Sequence, residues 1–550
     1  MSTTGERTFN LADLFEQTVD RFPDREYLVV GDQRRTYAEM EDRANRLAHD
    51  LAAHGVEAGD HVGIYAHNSA EWVETLWAVF KIRAVWININ YRYVEGELAY
   101  LFGNSDLKAL VYEQSFGPRV AACRDALPDL VHALVIDDGS GADVGVAEAV
   151  PYEDALAAAS PERDFGPRSG DDRYILYTGG TTGMPKGVVW RHEDVFMALG
   201  GGIDPMTKVK ADRPEQIIEK AYDNPITFFP IAPLMHGATQ WGLMSNATTG
   251  NRVVLVANFD ADDCWELVQR EGINSIMITG DAMGRPLIES LKANRDKYDV
   301  SSVLSLSSSA AIFSPSVKDE FFEVFPDLIL TDAIGSSESG NNGMIAVGKG
   351  NTAMKGGPTV TPMPDAVVID EDFNFVEPGS GVIGKVARKG NIPLGYYKDE
   401  VKTAETFITG PDGTRYAVPG DFATVEEDGS ITLLGRGSVS INSGGEKIYP
   451  EEVEAAVKAH PAIYDATVIG VKDEKWGQRV AAVVQLREGE TLPDIKGLQE
   501  HCRKEIAGYK VPRQVHFVDA VTRAPSGKPD YRWAAEMAAG DPDLIDEAFA

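Results

Sequence analysis

The feature that most restricts the folds open to this chain is a rhythm. Over roughly the first two thirds, short β-branched apolar runs alternate with segments of helical period. Met40, Ala44, Leu47, Ala48 and Leu51 recur at the spacing of one helix face, and Gly55 follows as a stop. His61–Ala66, Val85–Ile89, Ala109–Tyr112, Arg252–Val256, Ser275–Thr279 and Leu328–Leu330 suit buried strands, and Ala70–Ile82 reads as a helix. Parallel neighbours need a crossover of a dozen or more residues, usually a helix, so this alternation predicts parallel sheets covered on both faces.

The rhythm breaks between about residues 358 and 435. Gly-rich turns such as Glu377-Pro-Gly-Ser-Gly381 and Asp428-Gly429 there separate short strands, predicting a small antiparallel, barrel-like part. Small residues cluster at Gly435-Arg-Gly-Ser438, which marks a boundary. Beyond it, a helix (Glu451–His460), strands (Ala466–Val471, Val480–Leu486), a helix (Ile495–Ile506) and a strand (Val515–Val518) make a compact α+β unit. The predicted class is therefore α/β: a large N-terminal region of parallel sheets with a barrel-like part, residues 1–436, and a separate α+β domain, residues 437–550. Residues 204–224, rich in Lys, Asp, Glu and Pro, read as a surface excursion.

Charge excludes several partners. Lys+Arg 52 against Asp+Glu 85 leaves a formal charge of −33, which repels nucleic-acid phosphates and anionic lipid headgroups. No apolar run approaches the ~18 residues of a membrane span. Cys123, Cys264 and Cys502 are too few and too scattered for a disulfide framework, which fits a reducing cytoplasmic setting. Small-molecule substrates remain, and self-association is left open.

Against that acidity one segment is an exception. Tyr177-Thr-Gly-Gly-Thr-Thr-Gly-Met-Pro-Lys-Gly-Val-Val189 follows a strand-like run. Gly179, Gly180 and Gly183 let backbone N–H groups face an anion, Thr178, Thr181 and Thr182 add hydroxyls, and Lys186 adds charge. Lys186 lies between Pro185 and Gly187, so this is not the Gly-Lys-Ser/Thr loop of nucleotide kinases. Nor is Gly335-Ser-Ser-Glu-Ser-Gly340 a hydrolase elbow, because Ser339 stands where that motif needs Gly.

The loop resembles the signature of the adenylate-forming family: acyl-CoA synthetases, luciferases and carrier-protein adenylation domains. Five further segments follow in that family's order. Ser309-Ala310-Ala311-Ile312 resembles its adenine platform, usually Gly-Gly-Ala-Pro, and Gly335-Ser336-Ser337-Glu338 the stretch ending in a magnesium-binding Glu. Pro419-Gly-Asp421 and Gly435-Arg436 resemble its ribose contacts, and Arg523-Ala-Pro-Ser-Gly-Lys528 the segment with its catalytic lysine. Departures also occur: Gly179 replaces a common Ser, Ile334 a stacking Tyr, Ser438 the hinge Asp or Lys, and Asn442 a Lys.

The resemblance implies roles. Lys528 bridges the acid's carboxylate and the α-phosphate of ATP, Glu338 holds Mg²⁺, and Thr181, Thr182 and Lys186 handle the outer phosphates. Residues 437–550 become a mobile lid hinged at Ser438. Coenzyme A, or a carrier protein's pantetheine thiol, accepts the acyl group; a non-catalytic relative would be expected to lose Lys528 or Glu338. Trp190, Phe196, Met197, His236, Trp241, Met244 and Gly200–Gly202 outline an apolar acid pocket without a buried charge, which fits a bulky hydrocarbon acid. Between Lys496 and Arg532 eight Lys/Arg face four Asp/Glu, an excess suited to ATP and coenzyme A phosphates.

Overall fold

The computed structural model describes residues 8–146, 148–178, 184–199, 201–204, 207–352, 357–443, 446–473, 475–492, 494–524 and 527–546. Its first sheet opens with the strand Gln33–Thr36 and then six strands that pair in parallel, in the order Glu26–Val30, Arg252–Leu255, Thr227–Pro230, Ser275–Ile278, Ser305–Ser308 and Ile329–Ser336. At Ile329–Ser336 the pairing turns antiparallel: this strand and Gly340–Val347 form a hairpin. The short strands of residues 359–436 continue from it through Thr359–Pro362 and Ile431–Arg436. The barrel-like part is thus hydrogen-bonded onto the edge of the large sheet.

A second sheet of eight strands holds parallel neighbours from Arg173–Thr178 through Val85–Asn88, His61–Tyr65, Leu107–Glu113 and His132–Ile136 to Val150–Pro151. On its other side Lys186–Arg191 and Gly395–Tyr396 add antiparallel strands. The helix Ala70–Lys81 lies between the two sheets and is buried along all its residues. One apolar cluster therefore runs from Leu28 and Val253 of the first sheet through Trp72 and Trp77 to Tyr174 and Trp190 of the second. A helix buried on every side is an interior one, and this one encloses Glu71 and Glu74 as well as its apolar residues. Its one cation, Lys81, is enclosed but bridges Glu16 at 2.6 Å and Glu41 at 2.7 Å, as a buried charge requires.

Among the described residues, the strands beyond residue 440 pair only with one another, in a third sheet centred on the long hairpin Ile463–Asp473 and Gly477–Leu486. The helices Pro450–Lys458 and Ile495–Cys502 pack on it around their own apolar core. Residues 437–439 form a single tight turn between the first sheet and the third. Cys123, Cys264 and Cys502 are all buried free thiols. Among the described residues no helix is long and apolar enough to cross a membrane.

Candidate active site

A cavity of about 180 Å³ lies where the C-terminal ends of the strands Ser305–Ser308 and Ile329–Ser336 meet the third-sheet domain. Open parallel sheets place ligand crevices at these strand ends. Ala310, Ala311, Gly335, Asp421 and Lys528, all expected from the sequence, line this one cavity. Asp421 enters at the start of its strand, where it pairs in register with Arg436, whose side chain lies outside the described set. Ala310 sits in the left-handed region at φ 68°. A non-glycine residue there is strained by roughly 1–2 kcal/mol, at the position where the resemblance leads one to expect Gly.

The third-sheet domain closes the cavity with Glu451, Glu454, Lys458, Arg523, Lys528 and Tyr531. Lys528 is placed by its neighbours. Ala524 N–H donates to the Lys528 carbonyl at 2.8 Å, and Gly527 N–H donates to Ala524 at 2.8 Å. Arg523 grips Asp465 through Nε at 2.7 Å and Nη2 at 2.5 Å, and reaches the Gly527 carbonyl at 3.3 Å. Gly527 has φ 74°, and a Cβ there would lie 3.2 Å from the Thr279 carbonyl oxygen. Only glycine meets both conditions without strain, so the lysine loop rests directly on the first domain.

The phosphate-loop residues Gly179, Gly180, Thr181, Thr182 and Gly183 lie outside the described residues, as does Gly200. What flanks the loop is visible: Arg173–Thr178 and Lys186–Arg191 pair antiparallel, so Thr178 stands opposite Lys186 at the open end of a hairpin. Lys186 Nζ lies 5.4 Å from the ring centre of Tyr396, whose hydroxyl donates to Glu338 Oε1 at 2.8 Å. Tyr396 therefore ties the loop's lysine to the predicted metal carboxylate. Glu338 caps the hairpin after Ile329–Ser336. The Ser336 and Ser339 hydroxyls bond at 2.9 Å, and Asn342 donates to Ser339 at 2.8 Å. Ser309 and Ser337 flank these groups without entering the cavity lining.

The residues expected around the acid separate. Trp190 is fully buried and donates its indole N–H to the Ser337 carbonyl at 3.0 Å, bracing the Glu338 turn. Trp241 instead borders a small apolar recess with Phe196, Leu199 and Met244. His236 is the N-cap residue of the helix Gly237–Thr248 that carries Trp241. The cationic run at 496–532 is partly spent within its own domain, because Lys510 meets Glu452 at 2.6 Å and Arg513 meets Asp546 at 3.0 Å.

Three features of the cavity went unread in the sequence. Glu454, fully enclosed, accepts from Val468 N–H at 3.0 Å, and burial pushes its carboxyl up to about 7 despite nearby Arg523. Asp332 bonds Lys318, and burial raises its carboxyl against that partner's pull. Asp281 and Lys458 meet across the two domains. The first two join residues 14 positions apart and the third residues 177 apart, so no local spacing announces them. Elsewhere, Asp50, His54 and His132 bring ligand atoms within 4.8 Å of one another. The two imidazoles stack in parallel at 3.8 Å, so their in-plane lone pairs do not converge on one ion.

Comparison with known proteins adds the lineage. Residues 15–397 match the family model described as AMP-binding enzyme, and residues 452–528 the AMP-binding enzyme C-terminal domain. A Rhodococcus rhodochrous protein named 3-oxocholest-4-en-26-oate–CoA ligase is 51% identical over 533 residues, 96% of each chain. A Mycobacterium tuberculosis medium/long-chain-fatty-acid–CoA/3-oxocholest-4-en-26-oate–CoA ligase is 51% identical over 537 residues, 97% of each. Among solved structures, the anthranilate CoA ligase AuaEII with anthranoyl-AMP superposes with TM-score 0.83 at 23% identity, covering 98% of this chain and 100% of that one. From the cavity under its third-sheet domain to its matched length, the chain belongs to the AMP-binding enzyme family.

Proposed function

We propose that the protein is an ATP-dependent acyl-CoA synthetase for bulky hydrophobic acids, medium-to-long fatty acids or steroid side-chain acids. It joins the acid to AMP, releases pyrophosphate, and passes the acyl group to the thiol of coenzyme A with release of AMP. The observation that carries this reading is the shared cavity of Asp421, Ala310–Ala311 and Lys528. The identity with ligases named for fatty and cholestenoic acids supports the substrate class and coenzyme A over a carrier-protein acceptor.

A carboxylate attacking a triphosphate brings two anions together, so fixed positive charge at the point of attack carries most of the catalysis. Lys528 supplies it, held by the Arg523–Asp465 grip and the close seat of Gly527. Asp421 accepts from the ribose hydroxyls. Lys186, with Thr181 and Thr182, takes the outer phosphates. Burial raises the Glu454 carboxyl to about 7, which lessens the negative charge it presents to a wall that must face phosphate. Glu338 is suited to Mg²⁺, since one oxygen takes the Tyr396 hydroxyl and a hard cation shared with phosphate needs only one or two protein carboxylates. When bound there, Mg²⁺ offsets the phosphate charge. The small recess beside Trp241 and Met244 supports an apolar acid site.

The test is a panel of acetate, octanoate, palmitate and a cholestenoate-type acid with ATP, Mg²⁺ and coenzyme A, with products read by mass spectrometry. Several buried methylenes at ~0.8 kcal/mol each give the larger acids at least ~10²-fold higher kcat/KM than acetate. Equal use of acetate would overturn the substrate class. Acyl-AMP without acyl-CoA would overturn the acceptor.

A further inference from the structure

The helix Gly280–Ala293 presents Asp281, Arg285 and Glu289 at intervals of four residues, which puts them on one face. All three meet the C-terminal domain. Asp281 Oδ2 takes Lys458 Nζ at 2.7 Å, with both side chains enclosed. Glu289 Oε1 takes Arg487 Nη1 at 2.8 Å, with both side chains about one third exposed. Between these pairs the Arg285 guanidinium lies 5.5 Å from the ring centre of Tyr464, and Arg487 lies 5.8 Å from the same ring. The helix start also carries Thr279 and Ala282, on which Gly527 rests.

We propose that this acid–base–acid strip is the docking register that sets the domain's adenylating orientation and so positions Lys528. The inference rests on the functional reading above. The strip touches no reacting atom; its residues are positioning residues. The link to Lys528 is short. Tyr464 precedes Asp465, Asp465 holds Arg523, and Arg523 bonds the Gly527 carbonyl beside the lysine. A shift of the domain along the helix would separate both ion pairs and carry the Lys528 loop with it.

The same strip contains the reason the docked state can be left. Arg285 is 2% exposed, and neither Nη atom has a hydrogen-bond partner among the described residues. Its charge faces neighbouring Asp281, shared with Lys458, and the Tyr464 ring. A buried cation so poorly satisfied favours separation, since undocking returns it to water. Two ion pairs hold the orientation and one strained cation loosens it.

The experiment uses the full-length protein with Glu289→Arg, Arg487→Glu and the double exchange, on the one-third-exposed pair where charge reversal spares the core. Two half-reactions are read: pyrophosphate release with octanoate, ATP and Mg²⁺, and coenzyme A transfer from supplied octanoyl-adenylate. Each single variant should slow pyrophosphate release about tenfold and leave transfer within about twofold, while the double variant recovers most of the loss. Arg285→Met should slow transfer without slowing pyrophosphate release. Equal slowing of both half-reactions, a double variant no better than the singles, or single variants with wild-type rates would overturn the proposal. Wild-type protein that releases no pyrophosphate with any acid would instead overturn the functional reading.

Discussion

At the scale of single residues, charge placement decides the chemistry. Lys528→Ala removes the one lysine of the 523–528 segment, which lines the cavity with Asp421. Pyrophosphate release should fall by ~10²-fold or more, as for loss of a preorganised charge stabiliser, with ATP binding by calorimetry retained. Release within fivefold of wild type would remove Lys528 from the mechanism. Tyr396→Phe deletes only the hydroxyl on Glu338. Losing a hydrogen bond to a charged group costs about 1.5 kcal/mol, so kcat/KM for ATP at limiting Mg²⁺ should drop roughly tenfold. Saturating Mg²⁺ should restore most of it; no dependence on Mg²⁺ would leave Tyr396 a packing residue. Lys528, Asp421 and Glu338 were marked as candidates because each ends a short segment with its own signature. Tyr396 was not, because a tyrosine in Gly-Tyr-Tyr-Lys says nothing of a carboxylate 58 positions earlier.

At the scale of elements, the sequence rhythm foretold six of the parallel strands within one or two residues at most ends, since a fully buried strand must read as an uninterrupted apolar run, and it passed over others such as Ser305–Ser308, whose serines break that run. The break near residue 358 was equally plain. That the short strands beyond it extend the large sheet was not: Thr359–Pro362 joins Gly340–Val347 across 17 to 19 residues, but the next strand follows through Thr359–Thr432 and Val360–Ile431, which pair residues more than 70 positions apart. The turn Gly437–Val439 is the proposed pivot of the C-terminal domain. A Cβ at Gly437 would meet the Phe422 ring at 2.5 Å, and Gly437 N–H donates to the Gly420 carbonyl at 3.1 Å, so the turn is packed in this orientation. Ser438→Pro fixes φ near −65° and removes a donor. Rapid-quench measurements should find acyl-AMP formed at a near-normal rate and its transfer to coenzyme A slowed strongly. Equal loss in both steps would place the pivot elsewhere.

At the scale of the molecule, the buried Glu454 makes stability depend on pH. Its carboxyl moves from an ordinary value near 4.5 to about 7 in the folded protein. Between these values the folded state holds a proton that the unfolded chain releases. This contribution to stability is full below about 4.5 and is lost as pH rises through about 7. Glu454→Gln should flatten that part of the profile, so that urea midpoints of wild type and variant diverge more at pH 8 than at pH 5. A constant difference between the two would exclude Glu454 as the source.

The roof over the cavity has a kinetic consequence. Glu454, Lys458, Arg523, Lys528 and Tyr531 all belong to the domain proposed to swing, so whatever occupies the cavity is held from both sides while that domain stays down. Departure of a nucleotide is then governed by the opening rate of a hinged cover rather than by the strength of any one contact. A stable mimic of the acyl-adenylate, touching floor and cover together, would have its residence time set by that rate. Variants that loosen the cover would shorten its stay while hardly altering how fast it arrives.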